Sequence, residues 1–144
     1  MSQKMRIFAV DLGKVRTGLA VSDQTGSIAV PAGTVVQRDI KKLVLQVSDE
    51  AKKQKADLII VGHPRNMDGS CGESAHFAEN FAIELEKESG IPIKLWDERM
   101  TTMSAIGILN ETNTRGKKRK TVIDTVAATI ILQDYLDSIN NNQL

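Results

Sequence analysis

Aromatic residues make up only 3% of this 144-residue chain, cysteine occurs once, and neither sign of charge accumulates. Each scarcity removes a class of function. The single Cys71 cannot close an internal disulfide and cannot by itself build a thiolate zinc site, which points to a reducing compartment. So few aromatics argue against a single-strand binder built on stacking platforms, and leave backbone phosphate as the expected target of any nucleic-acid contact. Nineteen Lys plus Arg against 18 Asp plus Glu give a formal charge of +1, so attraction to an anionic polymer must come from local clustering. No apolar run approaches the roughly 18–20 residues of a membrane helix, and Met1 to Arg6 leads directly into a strand-like segment instead of a signal-peptide core. A soluble, cytoplasmic protein without membrane partners is expected. What remains, 41% hydrophobic and 26% charged residues with no internal repeat, is the composition of one ordinary globular domain spanning residues 1–144.

The apolar pattern places the elements. Arg6 to Leu12 reads as a β-branched strand ended by Gly13, Thr17 to Ser22 as a second strand and Ser27 to Val30 as a third, joined by short turns into an antiparallel meander. Asp39 then caps a helix whose Ile40, Leu43, Val44, Val47 and Ala51 recur at spacings of three and four. Asp57 to Gly62 is a nearly unbroken apolar run, expected of a parallel strand covered on both faces. A loop from His63 to Gly72 leads to a second helix marked by Ala75, Ala78, Phe81, Ala82 and Leu85 and stopped at Gly90, followed by a strand from Ile91 to Asp97. A short helix from about Thr102 to Glu111, a polar basic stretch from Thr112 to Lys120, and a last helix carrying Val122, Val126, Ile130 and Tyr135 complete the chain. The tail Asn140 to Gln143 reads as frayed. This order, βββαβαβαα, predicts an α/β protein with a mixed sheet and helices on its faces, and it is similar to the ribonuclease-H-like fold.

Three acidic positions stand out. Asp11 ends the first strand before a glycine turn, where an unpaired carboxylate would cost several kcal/mol, so it binds a cation, pairs with Arg16 or caps the turn. Asp97 and Glu98 follow one another at the carboxyl end of the last strand and therefore point to opposite faces; one of them faces Asp11, unless Glu98 pairs with Arg99 or serves the next helix start. Asp124 has Ala127, Ala128 and Ile131 as helical neighbours, which puts it on a packed face, but Thr121 and Asp124 also have the spacing of a capping box. Acids from three distant segments at one sheet end supply the hard oxygen ligands that Mg²⁺ or Mn²⁺ prefers, and two such ions suit phosphodiester hydrolysis. His63 and His76 lack zinc-ligand spacing, and Cys71 has no obligate base nearby. The basic concentration is Arg115, Lys117, Lys118, Arg119 and Lys120, a cationic loop next to Asp124 suited to gripping phosphates.

Val10 to Ala20, Val61 to Ser70, Asp97-Glu98-Arg99 and Asp124 to Ala128 together resemble the four signature blocks of the YqgF family, bacterial proteins related to Holliday-junction resolvases and described as nucleases of precursor 16S ribosomal RNA. The resemblance covers almost the whole chain. It implies a ribonuclease-H-like nuclease fold, a role in ribosome biogenesis through maturation of the 5′ end of 16S rRNA, and catalytic metal-binding acids at Asp11, Glu98 and Asp124. Arg16, Arg65 and Arg99 join the basic run as candidate nucleic-acid contacts. There are two departures from the family pattern. His63 stands where relatives usually carry an aliphatic residue, and Gly62-His63 occupies the strand end where resolvases proper place an acid. Competing expectations are cleavage of branched DNA, such as a Holliday junction, by the same metal site, and a non-catalytic RNA-binding module. Asp11-Leu12-Gly13 also resembles the phosphate loop of actin-like and sugar-kinase ATPases, but those close a nucleotide between duplicated domains, which a repeat-free chain of this length lacks.

Overall fold

A computed structural model describes residues 5–64, 68, 70–98 and 116–141, with the side chains of 116–125 and 141 outside the description. Strands β1 (Ile7–Asp11), β2 (Arg16–Ser22) and β3 (Ala29–Val36) form the expected meander, with Phe8 opposite Val21 and Val10 opposite Leu19 across the first antiparallel pair. Helix α1 (Ile40–Lys53) crosses back to β4 (Leu58–His63), which pairs parallel to β1, and α2 (Glu73–Ser89) returns to β5 (Ile93–Asp97), parallel to β4. The sheet order is β3-β2-β1-β4-β5. The last helix, α3 (Gly116–Asn141), lies on the other face from α1 and α2. The helix expected between Thr102 and Glu111 lies outside the described residues.

Strand parity sorts the core into two layers. Phe8, Val10, Leu19, Val21, Ile59 and Val61 pack under α1 and α2, while Ile7, Ala9, Ala20 and Ile60 pack under α3 against Ala128, Ile131, Leu132, Tyr135 and Leu136. Burial on both faces is why β1 and β4 read as continuous apolar runs. The caps follow the sequence: Asp39 accepts a hydrogen bond from the Lys42 N–H at 3.1 Å, and Gly90 ends α2 in the left-handed conformation.

Two boundaries differ from expectation. The third strand does not stop at Val30 but runs through Pro31 to Val36. Proline is tolerated because β3 is an edge strand, and the register shifts between Leu19 and Ala20, next to where Pro31 pairs. The stretch expected as a cationic loop is helical from Gly116, so Lys117, Lys118, Arg119 and Lys120 belong to the opening turns of α3. The same helix continues to Asn141, so the tail expected to fray is helical at Asn140 and Asn141, while residues 142–143 lie outside the described residues. Gln133 accepts from the Ala29 N–H at 2.9 Å and donates to the Ser27 carbonyl at 2.8 Å, and Asn140 donates to the Gly26 carbonyl at 3.2 Å. These side chains satisfy backbone groups of the hairpin that β2 and β3 form.

Candidate active site

Because β1, β4 and β5 run parallel, their carboxyl ends meet at one edge of the sheet, the edge where open α/β sheets place their ligands. Asp11 ends β1, Gly62 and His63 end β4, and Asp97 with Glu98 ends β5. Asp11 shares strand parity with Ile7 and Ala9, whose side chains pack under α3. It is half-buried and engaged with its surroundings.

The choice between Asp97 and Glu98 is resolved by packing. Gly62 pairs with Trp96 and His63 with Asp97 in the β4–β5 register. Trp96 stands edge-on to Tyr135 of α3, with ring centroids 5.4 Å apart at 87°, so β5 is pinned to α3 at that position. Two residues on, Glu98 falls on the same face and reaches back over Gly62. A Cβ at Gly62 would lie 3.1 Å from Ile131 Cδ1, 3.2 Å from Glu98 Cδ and 3.3 Å from Glu98 Cγ. A side chain there would press on the carboxyl, which the bare glycine leaves in place. Asp97, one position earlier, belongs to the α2 face with His63.

The turn after Asp11 has its own close approach. A Cβ at Gly13 would collide with the Arg16 carbonyl oxygen. The Gly13 N–H instead donates to Thr17 Oγ1 at 3.3 Å, and Thr17 is fully buried. Arg16 opens β2 and is half-buried.

Burial is the main influence on Glu98 and pushes its carboxyl above the ordinary range; the positive field of His63 opposes this and the negative Asp97 reinforces it. A desolvated carboxylate beside a second acid favours a bound cation. The donor chemistry, the Glu98 carboxyl beside Gly62 and the Asp11 carboxyl at the end of β1 on the same face, fits a hard divalent ion.

Asp124 is the ninth residue of α3, one turn before the buried Ala128. Because the helix starts at Gly116, Thr121 is interior and the capping-box reading of Asp124 falls away. The Asp124 side chain, like those of Lys117, Lys118, Arg119 and Lys120, is outside the description, and Arg65, Arg99 and Arg115 lie outside the described residues altogether.

One grouping escaped the spacing argument for the histidines. His63 Nε2 donates to Glu79 Oε2 at 2.7 Å, His76 Nδ1 lies 3.3 Å from Glu79 Oε1, and one donor atom each from His63, Cys71 and Glu79 lie within 4.8 Å of one another. The hydrogen bond from His63 is the largest influence on Glu79 and holds its carboxyl below the ordinary range; burial opposes it and His76 adds to it. The contacts join a strand end to a helix, so no linear motif carries them.

The mixed five-stranded sheet with α1 and α2 on one face and α3 on the other is a ribonuclease-H-like fold, and the protein is a nuclease of that class. RuvC of Thermus thermophilus bound to a Holliday junction superposes with a TM-score of 0.61 at 11% identity, covering 94% of this chain and 96% of that one. The chain belongs to the RuvX family, described as Holliday junction resolvase, which it matches over residues 5–138. A relative in Lachnospira eligens is 40% identical over 137 residues, covering 93% of this chain and 98% of its own, and one in Bacillus subtilis is 39% identical over 138 residues, covering 94% and 100%. Both carry the name "Putative pre-16S rRNA nuclease". Among the described residues no helix is long and apolar enough to cross a membrane.

Proposed function

We propose that this nuclease hydrolyses phosphodiester bonds of precursor 16S rRNA, with Asp11, Glu98 and Asp124 holding Mg²⁺ or Mn²⁺, two ions in the full site. The observation that carries the reading is the Glu98 carboxyl, largely buried against Gly62 on the face where Asp11 ends β1, in space that a side chain at position 62 would crowd. The names of the relatives supply the substrate class. When bound, the ions supply water activation and charge stabilisation at the scissile phosphate.

The chain's own residues do the rest. Asp11 ends β1 and Glu98 follows β5, the two strands that flank β4, so the sheet register sets their spacing and no reorganisation is needed when substrate arrives. Trp96 against Tyr135 locks β5 to α3, the helix that carries Asp124. Lys117, Lys118, Arg119 and Lys120, in the turns of α3 that precede Asp124, bind substrate phosphates together with Arg16, Arg65, Arg99 and Arg115. No side-chain nucleophile takes part.

The test sets precursor 16S RNA beside a four-way DNA junction, each with Mg²⁺ and with chelator. Metal-dependent cleavage of the RNA at nanomolar enzyme is expected. The family description favours the junction as the second reading, and preferential cutting of the junction would establish it instead.

A further inference from the structure

The nuclease reading uses the α3 face of the sheet and leaves the cluster on the α2 face without a role. His63 closes β4, Cys71 stands just ahead of α2, and Glu79 lies in the second turn of that helix, one donor atom from each falling within 4.8 Å of the others. We propose that these residues form a second metal site, for a zinc-class transition ion, held by His63 Nε2, Cys71 Sγ and the Glu79 carboxylate.

The donor chemistry selects the ion. Thiolate and imidazole are ligands for zinc and its neighbours, whereas Mg²⁺, Mn²⁺ and Ca²⁺ take oxygen, so the two faces of the sheet suit different metals. Tetrahedral zinc, with bonds of about 2.0–2.3 Å, holds its donors roughly 3.3–3.7 Å apart, so a mutual separation within 4.8 Å leaves about an ångström of closing. The groups are placed to make it. The His63 ring is only 12% exposed and holds still, while Cys71 is exposed just before the helix and has room to swing. His76 and Glu79 are three apart on α2 and present their donors 3.3 Å from each other.

The His63–Glu79 contact of 2.7 Å is what such a pair does without an ion: the carboxylate accepts the proton on Nε2. Metal entry replaces that proton, moves the ring proton to Nδ1, and releases the thiol proton of Cys71 to solvent. Cys71 directly precedes Gly72, the N-cap of α2. A bound ion ties the two ends of segment 64–70 together.

The test is a titration of the reduced, chelator-stripped full chain with Co²⁺ and then Zn²⁺ in excess Mg²⁺, which fills the acidic site. One Co²⁺ per chain is expected, with a thiolate-to-cobalt charge-transfer band that Zn²⁺ abolishes by displacement, and Zn²⁺ should raise Tm. Cys71→Ser, an exposed change that leaves the metal-free Tm in place, should remove the band and weaken Zn²⁺ binding at least about tenfold, and Glu79→Gln should weaken it similarly. Asp11→Asn should change neither band nor affinity, whether or not it abolishes cleavage. The proposal is overturned by absence of the charge-transfer band in the wild type, by unaltered Zn²⁺ affinity in Cys71→Ser or Glu79→Gln, by loss of binding in Asp11→Asn, or by half an equivalent of metal that dimerises the chain.

Discussion

Glu98 and Gly62 are in contact across neighbouring strands: the acid's carboxyl group packs so close to the glycine that a side chain at position 62 would push it aside by a few tenths of an ångström. Gly62→Ala places a methyl 3.2 Å from Glu98 Cδ and 3.1 Å from Ile131 Cδ1. The core shifts by tenths of an ångström to accept it, at a cost of about 1 kcal/mol, but the acid moves off its position. Cleavage should fall at least tenfold with substrate binding nearly unchanged, because geometry at the reacting centre is more sensitive than affinity. A Gly62→Ala enzyme with normal kcat and a normal melt would remove Glu98 from the site.

Asp11→Asn, Glu98→Gln and Asp124→Asn each keep the shape of the side chain and remove the charge that holds the ions. Each should cut the rate by orders of magnitude while the protein stays folded. In the wild type, Mg²⁺ or Mn²⁺ should support turnover and Ca²⁺ should bind without doing so, since its looser shell positions water poorly. Steady-state cleavage with each ion, alongside thermal melts of the variants, checks this; full activity in chelator would end the metal reading.

Burial raises the Glu98 carboxyl above its unfolded value, so the folded state holds that proton more tightly and ionisation of Glu98 works against folding. The penalty is absent at pH values below the ordinary glutamate range of about 4.3, grows as pH rises from there to the folded pKa, and is constant above it. In chelator, Glu98→Gln should therefore melt higher than wild type at pH 7, and the difference should close towards pH 4. Adding Mg²⁺ should stabilise the wild type more than the variant. A difference that stays constant with pH would show that Glu98 is not the group responsible.

Much of this was legible in the sequence, for local reasons. Unbroken apolar runs announced β4 and its burial on both faces, Asp39 announced α1, and Gly90 announced the end of α2. Period-two alternation said that Asp97 and Glu98 must point to opposite faces but could not say which faced Asp11; that took the packing of Trp96 on Tyr135. Pro31 looked like a strand end because nothing local says that β3 is an edge. The basic run looked like a loop because its charges carry no apolar period, yet lysine and arginine are good helix formers and the backbone continues through them. The His63, Cys71 and Glu79 grouping depends on β4 and α2 meeting in space, which no spacing rule encodes.

Replacing Lys117, Lys118, Arg119 and Lys120 together with Gln tests whether this end of α3 grips phosphate. Gln is chosen because these positions are helical and its helix propensity is close to that of Lys and Arg, so the backbone of α3 should hold. Removing four cations from a chain of net charge +1 leaves it at about −3, which should weaken RNA binding at every sequence without altering preference among sites. The slope of log K against log salt should fall by about 0.7 for each lost contact on single strands, or about 0.9 on B-form duplex DNA. If the helix contributes binding alone, the metal-holding acids are untouched and saturating RNA should restore most of kcat, so the defect appears in KM. Filter binding across a salt series, with kcat and KM from the same preparation, makes the distinction. Unchanged affinity and salt slope would free these residues of any phosphate role and shift the substrate path to Arg16, Arg65 and Arg99.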